Sequence, residues 1–182
     1  GGLDAAFLTD GYEYDLNFGT WSGISPLPVP SGYAGSAHAN GKIFLFSGGS
    51  LPNGNPNGAT QIYDYITDTW TTGSPMPVPS ANFATGIYKD SLIYIVGGNI
   101  GNVVATNNVQ IYNTYTDTWS TGSSKPGDAV YAIRGGISGN KMVISGGYNP
   151  ITAEAIGTTY IGEIDTLNPT QISWTQVDRK ST

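Results

Sequence analysis

One histidine, His38, and no cysteine stand among the 182 residues. Disulfides, thiolate metal sites and a cysteine nucleophile are therefore excluded. A Ser-His-Asp relay or a zinc cluster would have to be built on His38 alone. That residue sits beside Asn40-Gly41 in a hairpin, where a lone histidine is ordinarily solvated. There is no Gly-x-Ser-x-Gly elbow and no phosphate-cradling glycine loop. Among the carboxylates, Asp15, Asp64, Asp68 and Asp117 recur at equivalent positions along the chain, which scatters them instead of pairing them for acid/base work. Their expected role is turn chemistry, with Asp68 and Asp117 placed to close a turn by accepting backbone N–H bonds. No catalytic residue, cofactor or metal follows from these side chains.

The elements that must position these residues follow from a single register. Trp21, Trp70 and Trp119 are 49 residues apart, as are Tyr14, Tyr63 and Tyr112, and the diglycines Gly48-Gly49, Gly97-Gly98 and Gly146-Gly147. Residues 61–74 and 110–123 agree at ten of fourteen positions, and Pro28, Pro77 and Pro126 keep the same step. Each unit reads as four short strands. A first strand, as at Phe83–Tyr88, turns at Lys89-Asp90, Asn40-Gly41 or Ser138-Gly139-Asn140 into a second. The second strands (43–46, 92–96 and 142–144) are continuously apolar, which predicts burial on both faces. The diglycine ends that strand where backbone packs too closely for a side chain. A loop leads to a third strand ending at the tyrosine, and Thr-Asp-Thr-Trp leads into the fourth. Tyr63, Tyr112, Trp70 and Trp119 are read as packing residues between units. No window carries a helical stripe, so the fold class is all-β.

A unit of about 50 residues with a diglycine, a tyrosine and a later tryptophan resembles the kelch repeat. The landmarks are Phe46-Ser47-Gly48-Gly49, Tyr63-Asp64, Trp70 and Pro75-Met76-Pro77, with counterparts at 96–98, Tyr112-Asn113 and Trp119. The resemblance implies a β-propeller of four-stranded antiparallel blades and divides the chain four ways. Residues 1–22 are the second half of a blade, its diglycine at Gly1-Gly2. Residues 23–72 and 73–121 are complete blades. Residues 122–182 are a divergent blade with the start of the next linker. In the divergent blade Tyr160-Ile161-Gly162 replaces Tyr-Asp, and Trp174 falls 55 residues after Trp119. Three and a half blades cannot close a ring, whereas kelch propellers usually close with six or seven. The expectation is a segment of a larger propeller or a multichain assembly, with self-association through open blade edges. The family also holds enzymes. Its copper radical oxidases need Tyr, His and Cys ligands, against no Cys and one His in this chain, and its sugar mutarotases use charged residues at the mouth of the ring, for which Asp128, Arg134 and Glu154 are candidates. The alternative function is therefore part of a sugar-processing propeller whose catalytic residues lie outside this segment.

Strand direction alternates within a blade, so loops between second and third strands share one face with the linkers between blades. These segments are the candidates for binding. Asn53, Asn55, Asn57, Asn99, Asn102 and Asn149 offer amides to a sugar or peptide backbone. Val103, Tyr148 and Ile151, together with Ile100, Val104 and Ile156, mark a contact surface, and Glu154 lies among them. The main expectation is noncatalytic recognition of a protein or carbohydrate through this face. A net charge of −6 without a basic cluster argues against nucleic acid, and no apolar run approaches the ~18 residues of a membrane span. Charged residues make up only 11%, a compositional lean toward an extracellular or cell-surface setting.

Overall fold

The computed structural model describes residues 8–50 and 55–177; Gly1-Gly2, Asn53 and residues 178–182 lie outside the described residues. The described residues are all-β. Strands β1 (Gly11–Asp15) and β2 (Thr20–Ile24) form a two-stranded half-blade. The second blade is the antiparallel sheet of β3 (Gly35–Ala39), β4 (Lys42–Phe46), β7 (Thr60–Asp64) and β8 (Thr69–Gly73). Its second loop carries a minimal hairpin, β5 (Gly49–Ser50) with β6 (Asn55–Pro56). The third blade is β9 (Ala84–Tyr88), β10 (Leu92–Val96), β11 (Val109–Asn113) and β12 (Thr118–Gly122). The fourth is β13 (Arg134–Ser138), β14 (Lys141–Ser145), β17 (Thr159–Ile164) and β18 (Ile172–Val177), with a loop hairpin of β15 (Tyr148–Asn149) and β16 (Glu154–Ala155). First strands of successive blades touch, β3 against β9 and β9 against β13, so these are the inner strands of a propeller segment.

The core is a stack of layers between blades. Phe44 and Phe46 of the second blade meet Ile93, Ile95 and Tyr112 of the third. Tyr94, Val96, Val109 and Ile111 on the other face of the third blade meet Met142, Ile144, Ile164 and Ile172 of the fourth. Strand alternation therefore sends Ile93 and Ile95 one way and Tyr94 and Val96 the other. Burial on both faces holds for the third blade only. In β4 Ile43 is 38% exposed and in β14 Val143 is 46% exposed, because neither has a complete blade beyond it.

Blades are also joined by a repeated polar clasp. Tyr63 Oη donates to Asp68 Oδ1 (2.9 Å), the same oxygen accepts from Ser25 N (2.8 Å), and Ser25 Oγ donates to the Asp68 carbonyl. Tyr112, Asp117 and Ser74 repeat it at 2.7 and 2.6 Å. The indoles of Trp70, Trp119 and Trp174 donate to the carbonyls of Ser25, Ser74 and Ser123. Asp68 and Asp117 thus tie the incoming linker to the blade and do not close their own turns, as the sequence suggested. The turns are closed one step earlier: Asp15, Asp64, Asn113 and Asp165 each accept two backbone N–H bonds at the end of a third strand.

Two register readings need correction. The diglycines are not equivalent: Gly32 bridges Gly49, whereas Ala81 bridges Asn99 and Tyr131 bridges Tyr148. The positions that match are Ser47-Gly48, Gly97-Gly98 and Gly146-Gly147. The slip arises because β3 and β4 join through two residues, while β9 and β10 join through three. The second member of each pair must be glycine, since at Gly98 φ is +103° and a Cβ would lie 2.7 Å from the Ala81 carbonyl. The first tolerates Ser47 at φ +50°. In the fourth blade Gly162, not Tyr160, faces the tryptophan in register, and Tyr160 occupies the place of Gln61 and Gln110.

Candidate functional site

The second loops and the linkers do converge on one face. Asn57 Nδ2 donates to Pro30 O and Ser31 Oγ, and Lys125 N donates to Asn107 O, so loop and linker interlock around the ring. Three of the six asparagines expected to offer amides are committed to this scaffold. Asn57 Oδ1 accepts from Ala59 N, Asn99 Oδ1 from Gly101 N, and Asn149 Oδ1 from Ile151 N and Thr152 N. Asn149 is buried, Asn55 is half-buried in β6, and Asn102 is exposed at φ +49° in the loop. The apolar residues of the same loops point outward. Ile151 is 91% exposed, and Ile100, Val103, Val104 and Tyr33 are exposed beside the asparagine turns. Tyr148 is half-buried against Tyr131, its ring centre 5.4 Å away. Ile156 is largely covered, and Glu154 is exposed in β16.

Where the inner strands begin, a hollow of about 320 Å³ opens on this face, lined among others by Tyr33, Ser36, Asn82, Thr85 and Arg134. Arg134 is the one ionic residue lining it. Its guanidinium donates to the carbonyl of Ile133 (2.9 Å). Asp128 and Glu154 do not line the hollow, so the three charged candidates for a ring-mouth site are not gathered together. His38 is exposed on β3, near the opposite face. Among the described residues no group of His, Cys, Asp or Glu could hold a metal ion.

Several of the titratable groups that depart from ordinary behaviour belong to the clasps. The Ser25 N–H and then the Tyr63 hydroxyl hold Asp68 below the usual carboxylate range. Burial pushes Asp117 up, but the Tyr112 hydroxyl and Ser74 outweigh it and the net shift is downward. Loss of water around the ring, then the bond to Asp68, carries Tyr63 to about 12. Tyr94 and Tyr112 are raised above the ordinary phenol for the same first reason. These shifts arise from burial and from the structural bonds of the clasps.

Sequence reasoning missed a feature of the opposite face. The turns between third and fourth strands each end in exposed hydrophobes: Leu16 and Phe18, Tyr65 and Ile66, Tyr115, and Leu167. The signal was present in the turn sequences, but attention to their aspartates hid it.

Three four-stranded blades and a half-blade, wound about inner strands and tied by repeated clasps, define a segment of a kelch-type β-propeller. Residues 83–126 match the kelch motif, in the third blade. No curated protein matches the sequence. Among solved structures the chain is similar to YjhT, with a TM-score of 0.82 and 16% identity over 96% of this chain and 60% of that one. At this identity the likeness is one of fold, and the chain spans about 60% of the length of YjhT.

Proposed function

We propose that this kelch propeller segment is a noncatalytic recognition module that binds a protein through the face of second loops and linkers. The observation that carries the reading is the division of labour on that face. Asn57, Asn99 and Asn149 spend their amide oxygens on their own turns, while Ile100, Val103, Val104 and Ile151 are left in water. A rigid scaffold that holds apolar side chains outward suits a protein surface better than a sugar, which needs convergent free polar groups. The half-blade and the open faces at both ends support a second element of the proposal: further blades, in the same chain or in another, complete the ring.

The test is made in the full-length protein with Val103→Asp and Ile151→Asp. A partner that co-purifies with the wild type and binds it as a purified protein should bind both variants at least tenfold more weakly. Unchanged affinity would remove the loop face from the account. Turnover of a carbohydrate panel by the full-length protein would instead favour a sugar-processing propeller.

A further inference from the structure

The grip that holds each linker to its blade is rebuilt in the fourth blade. In the second blade the buried Gln61 accepts from Val29 N at 2.8 Å and donates to Val29 O at 3.0 Å. Gln110 does the same to Val78, at 2.9 Å for both bonds. Leu27 and Met76, each two residues before the clamped valine, are buried. In the fourth blade Tyr160 pairs with Ile144 just as Gln110 pairs with Ile95, so a tyrosine replaces the glutamine. Gly127 stands where Val78 did, and Lys125 where Met76 did. The changes are coupled, because a Cβ at position 127 would collide with the Tyr160 hydroxyl.

With the clamp absent, a cavity of about 140 Å³ lies between linker, loop and sheet. That is close to the ~150 Å³ of an apolar cavity that takes a benzene-sized ligand. Lys125 lines it and is itself only 3% exposed. Its ammonium donates to the carbonyls of Pro126 (2.8 Å) and Asp128 (2.9 Å) and sits 4.8 Å from the centre of the Tyr160 ring. An ammonium carries three N–H groups, so one remains for another acceptor. Among the described residues no carboxylate lies within ion-pair distance of it. Burial lowers its pKa from the ordinary lysine value, the more distant Asp128 charge opposing. A buried cation without an anion is costly, and a ligand that brings the anion recovers that cost. The remaining walls are mixed: Val130, Ile133, Ile144 and Ile156 form an apolar side, and Asp128, Thr158 and Tyr160 a polar one.

We infer that this cavity binds a small organic monocarboxylate, its head group on the Lys125 ammonium and its hydrocarbon body against Ile133, Ile144 and Ile156. The test is calorimetric titration of the full-length protein with isobutyrate and benzoate, and with isobutanol and benzyl alcohol as neutral counterparts of the same shape. The acids should saturate one site, and the alcohols should bind at least about tenfold more weakly, the worth of one charge-assisted bond. Lys125→Met, which copies Met76, should abolish binding of the acids without lowering the unfolding midpoint. Should that variant unfold, Lys125→Leu, which copies Leu27, gives the same reading. Equal binding of acids and alcohols, wild-type affinity in the folded variant, or no saturable binding of either acid would overturn the inference.

Discussion

The third and fourth blades share one strand order and nearly one register, yet they are finished differently. In the third, β10 sends Ile93 and Ile95 to one neighbour and Tyr94 and Val96 to the other, and all four are fully buried. In the fourth, Met142 and Ile144 are buried against the third blade while Val143 on the reverse side is exposed. Ser145 and Thr159 there share a hydroxyl bond of 2.8 Å where the third blade pairs Val96 with Val109. The second blade's exit face instead carries Phe44 and Phe46. A blade's inner face is thus held by apolar packing and a polar clasp together, and the outer face of the fourth blade is the more polar of the two.

The half-blade at the other end lacks this finish. Its Tyr14–Trp21 pair has the geometry of Tyr63–Trp70, with ring centres at 5.1 and 4.9 Å, but Tyr14 is 46% exposed against 4% for Tyr63. Together with Tyr12 it leaves an apolar surface where the inner strands of a complete blade would lie. The two ends therefore differ in how much they would gain from being covered.

The sharpest way to break the comparison between blades is to empty the layer that only the inner ones have. Phe46 is fully buried with ring contacts to Tyr112 and Trp119, so Phe46→Ala should cost about 3–5 kcal/mol in denaturant unfolding. Val143→Ala on the open face should cost well under about 1 kcal/mol by the same assay. If the two costs were alike, the difference between the faces would be illusory.

The next effect is that of the clamp. Gln110→Ala leaves the Val78 N–H and carbonyl without their partner and should cost about 2–3 kcal/mol. Tyr160→Ala, whose blade has no clamp to lose, should still fold and should speed exchange of no linker amide. Hydrogen exchange at Val78 reads the first directly.

A smaller, pH-dependent effect belongs to the Tyr–Asp–Ser clasp. Asp68 and Asp117 have lowered pKa values in the fold, so their stabilisation is complete above the ordinary carboxylate value of about 4 and is lost as pH falls through their folded values. Urea unfolding followed downward from pH 5 should show a declining midpoint, and Asp68→Asn with Asp117→Asn should flatten that decline. A decline of equal slope in the double variant would assign it to other carboxylates.

The blades were legible because their landmarks are spaced by one period and each has a mechanism: tyrosine and tryptophan rings pack tilted at about 5 Å, and the turn aspartates accept paired N–H bonds. Counting by period failed where a hairpin gained a residue, as at Lys89–Ser91, which shifted the diglycine by one. Burial on both faces was misjudged for Ile43 and Val143 because strand composition cannot say whether a neighbour is present. On the candidate face, the loops were placed correctly on one side of the sheet. Which asparagines stay free was not readable, since Asn57, Asn99 and Asn149 are spent on local turns whose geometry depends on the fold. The Lys125 cavity was invisible for a related reason: it appears only when Met76, Val78 and Gln110 are compared with their partners across a shifted register.

The account turns on three and a half blades being part of a closed ring. The direct measurement is the mass of the native protein by size-exclusion chromatography with light scattering. A particle well above 19.1 kDa is predicted, through further blades in the same chain or through association. A stable 19.1-kDa monomer with Tyr12, Tyr14 and Trp21 left in water would contradict it.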